Sequence, residues 1–229
     1  MAEIPNMAAA EAAIVEQTNA FRRSEGRTAV VRNVVLDQAA RRFAEYLART
    51  GRFAHEADGR QPADRATAAG YRYCTIAENL ALNLDSRGFS TAKLAGEAVE
   101  GWKASPGHRK NMLLPNVTEI GVGIARAPGA DPKFHSVQLF GRPQRLSFTF
   151  QVQNSSGTAV TYSFGGKTQQ IEPRVVVTHT ACEPGAIRFV KPGGWFGGAG
   201  LDVTFDALDR AKFVLRGNPD GRLTVSQER

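Results

Sequence analysis

Cysteine is scarce in this 229-residue chain: Cys74 and Cys182 stand alone, and they fit no metal-ligand spacing. In an oxidising compartment they could form one disulfide closing a long loop, and the alternative is two separate buried thiols. Long apolar runs are absent too. No stretch approaches the ~18 apolar residues of a membrane helix, so no transmembrane segment is expected. The opening MAEIPNMAAAEAAIVEQ lacks a basic start followed by a continuous apolar core, so the chain is either cytosolic or has had a signal removed. A concentrated block of one charge is also missing. The net charge of +7 is scattered through helical patterns such as 41-RRFAEYLAR-49, which read as solvated faces and leave only a weak attraction to anionic surfaces. Nucleic acid is not an expected partner, because no basic stripe with interleaved aromatics accompanies the charge.

What is present is the composition of a folded protein of one or two domains. Residues 8–24 are Ala-rich, with Ile14, Val15 and Phe21 available for one face and Gly26 as a stop. Over 36–50, Leu36, Ala40, Phe43 and Leu47 recur at helical spacing and Gly51 ends the run. Shorter helices are expected over 62–70 and 106–114, and a longer one over 91–104, where Leu94, Ala98, Val99 and Trp102 form one stripe. Strand-like stretches lie between them at 75–82, 119–126 and 134–140. Helices and strands mixed without a strict βαβ rhythm point to a sheet covered by helices.

After about residue 145 the texture changes. The runs 146–154, 158–164, 174–181, 186–190, 201–205 and 211–216 alternate apolar and polar residues between turn signals such as N-S-S-G and N-P-D-G. They predict a small all-β sandwich or barrel. A boundary is expected near 141-GRPQR-145, giving domains over 1–144 and 145–229.

Four histidines carry most of the chain's capacity for chemistry near neutral pH: His55, His108, His135 and His179. His55 follows a helix C-terminus, where a cation is favoured. His135 lies in a predicted strand, with Gln138 on the opposite face. Glu78 is a carboxylate inside an apolar run, so it needs a cation, a backbone N–H group or a metal. Ser105 and Pro106 read as N-cap and first residue of a helix, with the serine hydroxyl accepting from the free N–H groups. That places His108 in the first turn, where the helix end keeps it neutral. His179 reads as structural. In 192-PGGWFGGAGLD-202, Trp195 and Phe196 either present a binding loop or cover the core of the small sandwich.

Read together, the stretches 78-ENLA-81, 100-EGWKASPGHRKNMLLPNVTEIGVGIA-125 and 135-HSVQLFG-141, preceded by 53-FAHEADGRQPADRATAAGY-71, closely resemble bacterial members of the CAP (SCP) superfamily. The likeness covers roughly residues 8–142 and leaves out the β-rich tail. It implies an α+β domain built as a three-layer α-β-α sandwich with a central cleft, which in many members carries two His and two Glu and in some binds a divalent metal. By motif, the first histidine is His55, the glutamate of the Gly-Glu-Asn motif is Glu78, and the histidine before Gln is His135. Ala77 stands where that motif has Gly, and Ser105 stands where eukaryotic members have the second glutamate. The resemblance implies a secreted or periplasmic binding module whose cleft, formed by His55, Glu78, Ser105, His108 and His135, takes a small, lipidic or peptidic ligand. The tail domain would meet a cell-envelope partner. The alternative is a metal-assisted hydrolase of peptidase type, with zinc on His55 and His135 and Glu78 as orienting group or base.

Overall fold

Helices begin where the sequence supplies caps. Asn6 accepts from the Ala9 N–H at the start of α1 (Met7–Ser24), and Asn33 accepts from Val35 and Leu36 at the start of α2 (Val34–Thr50). Gln61 and Asp64 form a reciprocal capping box on α3 (Pro62–Ala68), while Ser90 caps α4 (Thr91–Ala104). Gly51 ends α2 at φ 69°, a left-handed conformation that costs glycine nothing. A fifth helix, α5, covers Pro106–Met112. The structure, a computed structural model, describes residues 4–191, 200–220 and 222–228. It divides into two units, Met1–Arg145 and Leu146–Arg229. Neither cysteine is a free thiol.

In the first unit four strands form one sheet in the order β1-β3-β4-β2. Their ranges are β1 Val31–Arg32, β2 Tyr73–Leu84, β3 Glu119–Arg126 and β4 Lys133–Pro143. β1 runs parallel to β3, and the remaining pairs are antiparallel. On one face, Ile14 and Phe21 of α1, Val99 and Trp102 of α4 and Met112 of α5 bury against Ile120, Val122, Phe134 and Phe140. On the other, Leu36, Phe43 and Leu47 of α2 and Ala66 of α3 meet Leu80, Val137 and Leu139. This is a three-layer α-β-α sandwich. Each large apolar side chain fully buried here contributes roughly 1.5–3 kcal/mol.

The G-V-G of β3 has a steric reason. A Cβ at Gly121 or Gly123 would collide with the backbone of α2 at Leu36–Asp37 and Ala40–Arg41, so helix and strand touch main chain to main chain. The same approach closes the sheet edge. Beyond β1, the N–H of Val122 donates to Asp37 Oδ1 at 2.8 Å and that of Ile124 to Glu11 Oε1 at 3.1 Å. These carboxylates satisfy an edge that could otherwise pair with another chain. Arg32 and Arg41 neutralise them in turn.

In the second unit eight strands among the described residues form two sheets. The ranges are β5 Phe148–Asn154, β6 Val160–Phe164, β7 Lys167–Ile171, β8 Val176–Ala181, β9 Gly185–Lys191, β10 Leu201–Ala207, β11 Lys212–Gly217 and β12 Leu223–Glu228. The orders are β10-β9-β6-β7 and β12-β11-β5-β8. Phe150, Tyr162, Ile187, Phe189 and Phe213 fill the space between the sheets, so of the two architectures expected the sandwich is the one formed. His179 shares a 2.7 Å hydrogen bond with the buried Tyr162 hydroxyl and stacks on Phe150 at 4.7 Å. Trp195 and Phe196 lie outside the described residues.

Candidate functional site

Glu78 and Asn79 are neighbours in β2, and the period of two sends their side chains to opposite faces of the sheet. Glu78 faces α2 and α3, where its side chain is 1% exposed. It is not left uncompensated. Arg65 of α3 donates from Nη2 to both carboxylate oxygens, at 3.0 and 2.8 Å, and His55 Nδ1 lies 2.8 Å from Oε1. An ionised carboxylate only accepts, so the Nδ1 nitrogen carries the proton and Nε2 is the other edge of the ring. Since the His55 side chain is 49% exposed, this pair sits at the rim rather than the centre of the fold. The hydrogen bond to Glu78 raises the basicity of His55 above the ordinary 6.5, against a smaller opposing effect of burial.

Arg65 is the hub of the cluster. Its Nη1 donates to Asp58 Oδ1 at 2.8 Å and to the Arg60 carbonyl at 2.9 Å, and Nη2 also reaches the His55 carbonyl at 2.9 Å. Its guanidinium lies 3.5 Å from the centre of the Phe43 ring. One arginine thus fixes the 55–60 segment, neutralises Glu78 and ties both to α2. Of the three partners expected for Glu78, a cation, a backbone N–H group or a metal, the cation is the one present, and the sequence did not name Arg65 as its source. The signal was there, since Arg65 is the single basic residue of 62-PADRATAAG-70.

On the opposite face the tryptophan-histidine motif clamps β2. Trp102 Nε1 donates to the Leu80 carbonyl at 2.9 Å, and Asn111 donates to the Glu78 carbonyl and to Asn79 Oδ1, each at 3.0 Å. Asn79 Nδ2 reaches the His108 carbonyl at 3.2 Å and Gln138 Oε1 at 3.0 Å. The E-N and W-K-A-S-P-G-H-R-K-N stretches are therefore two halves of one hydrogen-bonded clasp. Ser105 occupies the N-cap of α5 with Pro106 next, but its hydroxyl makes no capping bond. The expected geometry is present without the expected contact. His108 is lowered in basicity by burial and then by the positive charge of His55.

His135 lies elsewhere along the strand. It pairs with Leu82, while Glu78 pairs with Leu139, four residues away and about 13 Å along the strand at ~3.3 Å per residue. Both its ring nitrogens are buried without a hydrogen-bond partner, and the Phe53 ring covers it at 5.9 Å. Burial lowers its basicity, and Lys133 adds to that. The structure thus joins His55 to Glu78 and places His135 further along the same face. Among the described residues no three His, Cys, Asp or Glu side chains converge as a metal cluster.

A helix-covered antiparallel sheet whose E-N strand is clasped by a W-x-x-S-P-G-H-R helix pair defines a CAP-type domain. The sequence profile of the Cysteine-rich secretory protein family (CAP) matches residues 15–140, more than half of the chain and every cleft residue named above, and the chain belongs to that family. A curated relative, the uncharacterised protein YkwD of Bacillus subtilis (strain 168), is 34% identical over 123 residues, covering 53% of this chain and 45% of the relative. The chain therefore spans less than half the length of that protein. Similar solved structures include an outer surface protein of Borrelia burgdorferi, at 18% identity and TM-score 0.49 over 57% of this chain and 90% of that one. An extracellular protein containing a SCP domain from Bacillus anthracis is 23% identical, with TM-score 0.49, over 59% of this chain and 41% of that one. No helix among the described residues is long and apolar enough to cross a membrane.

Proposed function

We propose that the chain is a CAP-domain binding module that works outside the cytoplasm and holds a lipidic or peptidic ligand in the cleft on the Glu78 face. The observation that carries this reading is the pairing of a spent carboxylate with an open apolar surface. Glu78 already accepts three hydrogen bonds from Arg65 and His55, so it is not free to serve as a base. Further along the same face, Phe53, Leu82 and Leu84 are 46%, 45% and 60% exposed around the buried His135. Exposed apolar groups gathered beside a polar edge are the usual make-up of a site for an amphipathic ligand. His55 supplies that edge. In this reading Ser105 and His108 approach the cleft from α5 past the edge strand β2, and the β-sandwich serves as a platform for an envelope partner.

The test is titration with a fluorescent long-chain fatty acid and, separately, with an apolar peptide library. Saturable binding that is lost in the Phe53→Asp/Leu82→Asp variant and weakened in His55→Ala supports the reading. Absence of binding to both probes overturns it.

A metal-assisted hydrolase is the second reading. It is favoured by the two unpartnered nitrogens of His135, and it requires His55 and His135 to approach each other. It predicts that excess zinc raises the melting temperature and that His55→Ala/His135→Ala abolishes the increase. An unchanged melting temperature removes it.

A further inference from the structure

Along one side of α2, Ala39, Arg42, Tyr46 and Arg49 follow one another at helical spacing, and this stripe forms a wall of a cavity of about 200 Å³. The opposite wall comes from Arg60 and α3, and Arg65 and Phe43 lie at its base. The cavity shares no lining residue with the apolar surface around His135, and it meets the Glu78 cluster through Arg65 and the groups that Arg65 holds, Asp58, Arg60 and Phe43.

Its charge is unbalanced toward the positive. Asp58 is the single carboxylate in the wall, and it is committed to Arg65. Arg65 is further matched by Glu78. Arg42, Arg49 and Arg60 have no carboxylate within ion-pair distance among the described residues, so the positive charge of the wall is not cancelled locally. Three unpaired guanidinium groups around a concavity raise the local concentration of anions.

The α2 wall is also held in place. Two rings lie between two cations: Arg65 sits 3.5 Å from the Phe43 centroid, Phe43 and Tyr46 lie 6.4 Å apart at 14°, and Arg49 is 5.6 Å from the Tyr46 centroid. The Tyr46 hydroxyl donates to the Ala57 carbonyl at 3.0 Å, which fixes the ring against the 55–60 segment. A fixed aromatic beside planar donors gives an aromatic wall and a carboxylate fork together, and the ring at least needs no ordering on binding. The cavity lies below the ~300–1,000 Å³ of drug-sized sites, so it takes one ring and not two.

We propose that this cavity binds a carboxylate carried on a single six-membered ring, with the carboxylate held by Arg42, Arg49 and Arg60 and the ring laid against Tyr46. The ring can come from an acidic sugar or an aromatic acid, and the test separates them. The full chain, labelled with ¹⁵N, is titrated with glucuronate, benzoate, neutral glucose and inorganic sulfate, following the amides of Ala39, Ala68 and Ala69. Saturable shifts at these amides with glucuronate or benzoate are expected, and the tighter of the two names the source. Affinity should fall about tenfold or more in Arg42→Gln/Arg49→Gln, since each lost charge-assisted contact carries a sizeable share of so small a ligand's binding. Both side chains are exposed, so the fold survives the change, as an otherwise unchanged amide spectrum verifies. The proposal is overturned if neither acid gives saturable shifts, if glucose or sulfate binds as tightly, or if the double variant binds like the parent. Because Arg42 and Arg49 take no part in the cleft around His135, failure here leaves the fatty-acid and peptide test untouched.

Discussion

Glu78 and Asn79 differ by one position in β2 and by almost everything in their surroundings. On the Asn79 face the partners are neutral: Gln138, Asn111, the His108 carbonyl and, through Gln138 Nε2, the Thr18 hydroxyl at 2.9 Å. The buried amides of Asn79 and Gln138 each find both a donor and an acceptor, and Asn111 donates into the network from its rim. On the Glu78 face the partners are charged, and the network ends at a half-exposed imidazole. A closed neutral network fixes elements relative to one another. An open charged one has a free end with which to meet a ligand. The same strand thus carries architecture on one side and recognition on the other.

The sharpest way to break this contrast is Arg65→Met. It leaves Glu78 buried without its cation, for which a loss of about 3–5 kcal/mol is expected by chemical denaturation. Adding Glu78→Gln should restore part of it, because the buried charge is then gone. A loss below about 1 kcal/mol in Arg65→Met would mean that water reaches Glu78 freely.

Asn79→Ala should cost less, about 1–3 kcal/mol, since it strands neutral amides of Gln138 and Asn111 instead of a charge. Its loss should be independent of pH between 5 and 8, as no titrating side chain belongs to that network. A pH-dependent loss would show that the two faces are coupled.

The smallest effect concerns protonation. His55 is raised by Glu78, so its contribution to stability is complete below the ordinary 6.5 and disappears as pH rises through its folded value. His108 and His135 are lowered, so their contribution is complete above 6.5 and is lost as pH falls toward their folded values. Ring-proton titration by NMR should therefore place His55 above 6.5 and the other two below it. Phe53→Ala should move His135 back toward 6.5 with little change in global stability, because Phe53 is nearly half exposed.

A sheet covered by helices was legible in the sequence because α2 and α4 carry strong helical periodicity and begin at Asn33 and Ser90, while the three-layer α-β-α order was implied by the family resemblance. Two strands of the sandwich, β7 with K-T-Q-Q-I and β12 with L-T-V-S-Q-E, were not anticipated. Both are edge strands, and an edge that faces water needs little of the apolar alternation by which a strand is recognised. The cleft was legible to the extent that its motifs are local. His55 and Glu78 stand out as residue types in unusual places, while Arg65 reaches Glu78 from thirteen residues away through a helix whose orientation no spacing rule supplies. The Ser105 hydroxyl makes no cap although its backbone has N-cap geometry, and nothing in the structure explains that.

The main-chain contact between α2 and β3 at Gly121 and Gly123 has a mechanical meaning. Two elements separated by side chains can slide by a fraction of an ångström as rotamers readjust, so that a push on one is partly absorbed before it reaches the other. Here no rotatable bond lies between strand and helix. A displacement of β3 passes to α2 undiminished, and the arginines and tyrosine projecting from that helix keep their spacing as teeth on a rigid rail.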